Sequence, residues 1–335
     1  LITTTEIARQ AGVSRAAVSY VIHDRRDQVS AETRRRVMKI VREHDYHPNA
    51  LVQALRRKRT GVAGVLVPGL YVSFFAEIVD AMEVAARTRG WRVVICQTHG
   101  QPDHLEQEIT KLRELRVDGF IVCPLQSQRA YYKRLVKAGV KMVFLDDAVP
   151  NVGVPYVDSD DVCGGRLATE HLLGLGHRRI ACLRLSAPAL PNCRFAGYRA
   201  ALSDAGVAFD ERLVTELDQG NYETGFGATG RLLAGASFTA LVAPNDVMAI
   251  AAIDALRQAG RRVPDDVSVV GYANLREASY CRPKLTTVSQ ETGAIGREAA
   301  NRLLDLIEER PVGTEDVLVK PRLIVRESTA GVANT

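Results

Sequence analysis

Arg15, Ala16 and Tyr20 lie within one and a half helical turns of each other, and their side chains suit the edges of DNA bases. A guanidinium carries paired N–H donors that can bond O6 and N7 of a single guanine, whereas Ala16 and Ala17 offer only apolar contact, for instance to a thymine methyl. Ser14 and Ser19 bear short hydroxyls suited to phosphate oxygens. Tyr20 either reads from one turn further along or packs inward. None of this chemistry operates unless a helix presents these groups together.

The neighbouring residues predict that helix. Ile7, Ala8, Ala11, Val13, Val18 and Val21 recur at helical spacing and can seal a small core between two short helices. Gly12 permits a left-handed turn between them, and Ser14 can cap the second. An ordinary helical hairpin shows the same short pattern, so the flanks decide. Ser30 predicts the cap of a third helix with Val37, Ile40 and Val41 on one face and Arg34, Arg35, Arg36, Lys39 and Arg42 on the others. Residues 1–60 hold 13 Lys and Arg against 6 Asp and Glu; since the whole chain is +5, residues 61–335 are −2 by difference. Positive charge confined to one end fits phosphate neutralisation and steering, with double-stranded DNA as the expected partner.

With 335 residues, 46% apolar and 25% charged, the chain is large enough for two or three globular cores. The longest apolar runs, such as Val62–Val67, are far too short to span a bilayer, and the N-terminus has no hydrophobic leader. No membrane partner and a cytoplasmic location are therefore expected. The six cysteines are scattered singly, as reduced buried thiols would be. His99 and His104 are too few for a metal, and no metal or cofactor is expected.

From Gly61 onward, Val- and Ile-rich runs alternate with amphipathic segments. Val62–Val67, Arg92–Gln97 and residues 119–123 and 141–145 predict buried parallel strands. Ile180–Leu185, residues 239–243 and Ser268–Tyr272 repeat the rhythm, with helices over 161–175 and 246–259. The predicted fold is an all-α helix-turn-helix head followed by two doubly wound parallel-sheet α/β lobes. A ligand cleft is expected between them, beyond the carboxyl ends of the strands.

The chain resembles the LacI family of bacterial transcriptional regulators almost end to end. The matching stretches include Glu6 through Ser14, Val18-Ser19, Val29 through Arg34 and Tyr46-His47-Pro48-Asn49-Ala50. Later come Gly176 through Ile180, Arg194 through Tyr198, Asn245 through Ala249, Val263 through Tyr272, Leu285 through Val288 and Val325 through Thr329.

This resemblance implies lobes of the periplasmic-binding-protein type joined by three chain crossovers. It divides the chain into a DNA-binding head (1–45), a hinge (46–60), a first lobe (61–159 with 288–320) and a second (160–287 with 321–335). It adds Thr5, His23 and Ser30 to the DNA-contacting set, and Asn49, Ala50, Leu55 and Arg56 at the hinge. There Leu55 would enter the minor groove as an apolar wedge. Two hinges side by side imply a homodimer on a near-palindromic operator, and the closing residues lack the leucine heptad of a tetramerising tail.

For the cleft the resemblance implies Tyr71, Ser73, Phe74, Asp147, Arg194, Tyr222, Asn245 and Asn274 as effector contacts. Three of them have a structural use open as well: Phe74 in a core, Arg194 in a surface ion pair, Asn245 as a helix cap. Asp146, Asp147 and Asp160 are expected as polar groups of the cleft rim or the lobe interface, Asp160 rather as the cap of the following helix. Ala273-Asn274 stands where many members carry Asp, and Gly220 where an aromatic lid is common, with Tyr222 a possible substitute. A standard pyranose site is thus in doubt; the effector is sugar-like, or anionic and held by Arg194, or the pocket has lost its ligand.

Two other classes fit less well. Gly225-Phe226-Gly227-Ala228-Thr229-Gly230 matches a dinucleotide-binding pattern, but no strand runs directly into it, so the glycines are predicted to lie in a helix rather than in a Rossmann-type enzyme. A two-lobed periplasmic binding protein would have no use for the basic head.

Overall fold

The computed structural model describes residues 2–22, 24–46, 59–71, 73–186, 193–313 and 315–332. The chain forms two compact units, Leu1–Thr60 and Gly61–Thr335.

The first unit holds helices α1 (Thr4–Ala11), α2 (Arg15–Ile22) and α3 (Ala31–Glu43). Ile7, Ala8, Ala11, Val18, Val21, Val37 and Ile40 are buried against one another, with Val13 and Val41 at the margin. The predicted apolar stripe is therefore the core. Gly12 ends α1 at φ +62°, and its N–H bonds carbonyls of the last turn. This left-handed cap turns the chain within three residues.

The second unit contains two six-stranded sheets. The first has the order β11-β5-β4-β3-β1-β2, from β1 (Val62–Val67), β2 (Arg92–Gln97), β3 (Gly119–Val122), β4 (Met142–Leu145), β5 (Tyr156–Ser159) and β11 (Val317–Val319). Every pairing in it is parallel. The second has the order β12-β10-β9-β8-β6-β7, from β6 (Ile180–Leu185), β7 (Val214–Leu217), β8 (Ala240–Val242), β9 (Ser268–Tyr272), β10 (Thr286–Ser289) and β12 (Arg322–Ile324). Only β12 runs antiparallel.

Helices cover both faces of each sheet. In β1, Ala63, Val65 and Val67 face a core shared with α4 (Ser73–Thr88) and α11 (Thr292–Ile307). Leu66 faces the opposite core, with α5 (Pro102–Glu114) and α6 (Arg129–Lys137). Helices α7 (Asp161–Gly174) and α8 (Cys193–Asp204) cover one face of the second sheet, α9 (Tyr222–Gly235) and α10 (Asp246–Gln258) the other. Strands buried on both faces read as unbroken apolar runs.

Two expectations need correction. Arg92–Gln97 is an edge strand paired only with β1, and Val94 and Ile95 are exposed rather than buried. The return crossover lies beyond 287/288, because Val288 and Ser289 still pair with Leu323 and Arg322 in the second sheet. The glycines at 225, 227 and 230 lie inside α9, as the sequence predicts.

Candidate DNA interface and ligand cleft

In the head, Ser14 Oγ accepts the N–H of Ala17 at 3.1 Å, fixing the start of α2. Arg15 and Ala16 then fall on its exposed first turn, while Ala17, Ser19 and Tyr20 are half-buried. Thr5 is exposed on α1. Ser30 accepts the N–H of Thr33 at 3.2 Å and donates to its hydroxyl, so its oxygen serves the α3 cap. Arg35, Arg36, Lys39 and Arg42 are exposed along α3, and Arg34 pairs with Asp24 at 2.5 Å. His23, Asn49, Ala50, Leu55 and Arg56 lie outside the described residues. The unit thus presents a capped helix, a guanidinium on its first turn and a basic flank, the parts needed to enter a major groove against phosphates.

In the second unit a polar knot joins the carboxyl ends of both sheets. Arg194, on the first turn of α8, donates through Nε to Asp161 at 2.8 Å and through Nη1 to the Pro244 carbonyl at 2.6 Å. Its guanidinium lies over the Tyr272 ring, and the Tyr272 hydroxyl donates to the same Asp161 at 2.8 Å. Burial opposes the Arg194 charge, but Asp161, Tyr272 and Asp146 outweigh it and hold the pKa above its ordinary value. The ion pair left open as the structural use of Arg194 is therefore formed, but with Asp161 in a partly buried position rather than at the surface.

Asp146 and Asp158 join this knot from the first sheet. Burial, with Asp161 and Asp147 adding to it against the pull of Arg194, pushes Asp146 up to about 7. Burial beside Asp146 and Asp161 pushes Asp158 up to about 8. Asp147 is raised by burial, opposed by Gln126, whose side-chain amide donates to it. Asp160 caps α7, accepting the N–H of Cys163 at 2.9 Å.

Most of the remaining predicted contacts are already engaged. Phe74 is 7% exposed in the first core, where Ala273 and Leu275 from the second lobe also pack. Asn245 caps α10 through Met248 N–H at 2.8 Å and donates to the Gly220 carbonyl at 3.0 Å. Asn274 accepts from Arg326 at 2.6 Å, and Ser73 donates to Glu277 at 3.2 Å across the lobes. Tyr71 is fully exposed at 84%. Tyr222 donates to Asp254, nine residues beyond Asn245, or about 13 Å along α10. The structure therefore does not bring Tyr222 to the Asn245 end of the cleft.

Sequence reasoning missed Asp158, Asp161 and Tyr272. Tyr156–Ser159 is too short and polar to stand out as a strand, though a carboxylate two residues before a helix-capping Asp was a usable signal.

Residues 3–49 match the family described as bacterial regulatory proteins, lacI family, and residues 169–329 match the periplasmic binding protein-like domain. The chain is 36% identical to the HTH-type transcriptional regulator CelR of Thermobifida fusca, over 97% of this chain and 98% of that one. It superposes on a CelR–cellobiose complex with TM-score 0.74 at 35% identity, covering 98% of this chain and all of that one. It also superposes on the lac repressor dimer bound to operator and the anti-inducer ONPF, with TM-score 0.86 at 30% identity and 98% and 99% coverage.

Proposed function

The chain belongs to the lacI family of bacterial regulatory proteins, and from that premise we propose how its parts divide the work of a DNA-binding transcriptional regulator. The head enters the major groove with α2. Arg15 reads a guanine, Ala16 and Ala17 meet a methyl group, and Ser14, Ser19, Thr5 and Ser30 lie nearest the backbone. Tyr20 reads one turn further along, His23 follows the helix, and residues 46–60, with Asn49, Ala50, Leu55 and Arg56, add a minor-groove contact. Two copies bind a near-palindromic operator.

A small molecule between the lobes changes the affinity, because a ligand with unequal affinity for two lobe orientations shifts their populations. Its contacts come from the end of the cleft that carries Phe74, Asp147, Arg194, Asn245 and Asn274. The role is regulatory rather than enzymatic.

The observation that carries this reading is the capped α2 with Arg15 exposed on its first turn, on a basic three-helix unit. Selection of bound sites from random DNA, followed by fluorescence anisotropy on the winner, tests it. A palindromic consensus is expected, with affinity falling by orders of magnitude between 50 and 200 mM salt. Absence of any sequence preference, or a flat salt response, overturns it.

A further inference from the structure

The chain leaves β9 through two consecutive residues with positive φ, Ala273 at +112° and Asn274 at +56°. Asn tolerates the left-handed well, but +112° lies beyond it, where only glycine enters without strain. The second lobe holds this turn at three points. Ala273 N–H donates to the Val288 carbonyl at 2.8 Å, the Asn274 side-chain oxygen accepts from Arg326 at 2.6 Å, and Leu275 N–H donates to the fully buried Asp246 carboxylate at 2.7 Å. A strained backbone persists only where its surroundings over-determine it, as these anchors do.

The anchored turn reaches into the other lobe. Ala273 and Leu275 are buried in the core of the first sheet together with Phe74, and Val247, from the first turn of α10, packs against the same core. Polar contacts flank this apolar peg. Ser73 donates to Glu277 at 3.2 Å across the lobes, and Arg276 Nε stands 3.9 Å from Glu77. The Arg276 side chain is 75% exposed, so its pair with Glu77 holds little. Leu275, only 4% exposed, is the stronger contact, because parting the lobes would return its side chain to water.

We propose that residues 273–277 form a built-in latch, a preformed peg of the second lobe that holds the first lobe in this orientation by the chain's own contacts, with Leu275 carrying the hold. The orientation of two packed bodies follows the free energy that distinguishes one arrangement from another. A side chain seated in one arrangement and exposed in the other supplies such a difference, and it makes the lobes switch between states rather than yield gradually. The latch itself is a property of the two lobes. Its consequence for DNA rests on the reading in which lobe orientation governs operator affinity: a small molecule in the cleft then works with or against this hold.

The test is the distance between nitroxides on exposed Lys137 of the first lobe and Arg231 of the second, attached through unnatural amino acids and read by pulsed electron–electron double resonance. The full chain is used, with labelled copies diluted into unlabelled ones. One narrow distance is expected for the parent, for Arg276→Gln and for the volume-conserving Leu275→Met. Leu275→Ala should add a second population or broaden the first about twofold; if a thermal melt shows that variant unfolded, Val247→Ala replaces it. A parent as broad as Leu275→Ala overturns the latch, as does a variant as narrow as the parent or an Arg276→Gln protein that opens equally. Operator affinity of the same variants separates the two ideas. A shift of about two- to thirtyfold with the opening is expected. Opening without any change in affinity keeps the latch and removes control of DNA binding by the lobes, whereas a change in affinity without opening overturns the latch alone.

Discussion

The guanidinium carbon of Arg194 lies 4.0 Å from the centroid of the Tyr272 ring, and the two side chains share one carboxylate. Asp161 accepts Arg194 Nε on Oδ2 and the Tyr272 hydroxyl on Oδ1, each at 2.8 Å. A cation over an aromatic face contributes about 0.5–2 kcal/mol, depending on how far it is desolvated. The side chains of Arg194 and Asp161 keep 26% and 21% exposure, so the pair is only partly removed from water. Asp161→Asn, which leaves the shape but removes the charge, is expected to cost about 2 kcal/mol in urea unfolding, the usual worth of a hydrogen bond to a charged group. Tyr272→Phe keeps the ring under Arg194 and should cost only about 1 kcal/mol. An Asp161→Asn protein as stable as the parent would show that the triad contributes nothing to folding.

Two glycines of α7 make room for this stack. A β-carbon at Gly164 would run into the Tyr272 hydroxyl, and one at Gly165 into the backbone carbonyl of Arg194. Gly164→Ala should therefore destabilise by about 1–3 kcal/mol, the cost of forcing extra volume into a packed site. Gly174, at the other end of the same helix, is exposed, and a β-carbon there would meet no atom within 4 Å. At that position Ala should gain up to about 1 kcal/mol from helix propensity. Thermal melts of the two variants should move in opposite directions, and a shared sign would remove the packing explanation.

In the head, the cap and the reader are coupled. Ser14 anchors the first turn on which Arg15 stands, so Ser14→Ala should cost about 1 kcal/mol of head stability and weaken binding to every DNA sequence. Arg15→Ala should leave stability unchanged and cost about 1–3 kcal/mol on the selected site, with little effect on random duplex. Anisotropy on both DNAs separates the two variants. Equal loss by Arg15→Ala on specific and random DNA rules out base reading by that residue.

What the sequence made legible follows from where the physics is local. Ile7, Val18 and Val37 announce their core by helical spacing, and Gly12 and Ser14 act through bonds within four residues of themselves. The unbroken apolar runs at Val62–Val67 and Ser268–Tyr272 mark central strands for the same reason. Strand order is not local. Arg92–Gln97 has the composition of an inner strand but sits at an edge, which only its single pairing partner reveals. The polar knot is less legible still, because Asp146, Asp158 with Asp161, Arg194 and Tyr272 come from four separate stretches, and none is unusual in its own neighbourhood. Asn245 and Phe74 were legible as types, but their partners, Gly220 and Met248 or Ala273 and Leu275, were not.

The same knot predicts an unusual stability profile against pH. Asp146 and Asp158 stand near 7 and 8 in the folded chain, against about 4 when unfolded. A carboxyl whose folded value is raised binds its proton more tightly in the native state, so its contribution is complete below about pH 4 and is lost as pH climbs to the folded value. Asp246, pushed up to about 6 by burial against its bond from Thr287, acts the same way but finishes earlier. Paired carboxylates with lowered values, such as Glu308 beside Arg89 and Glu291 beside Arg322, give up stability only as pH falls through the acid range. His171 and His177, held below their ordinary value by burial, add stability with rising pH, and that gain is nearly over by about pH 7.5. Between pH 7.5 and 8.5 the carboxylate pair and the thiols of Cys96, Cys123, Cys182, Cys193 and Cys281, which burial holds above their ordinary value, all give up stability, so the melting temperature of the ligand-free protein should fall across that interval. Asp158→Asn leaves Asp146 without its like-charged neighbour and should flatten the fall. An Asp158→Asn protein whose melting temperature falls as steeply as the parent's from pH 7.5 to 8.5 would mean that the two carboxyls are not held protonated together in the folded chain.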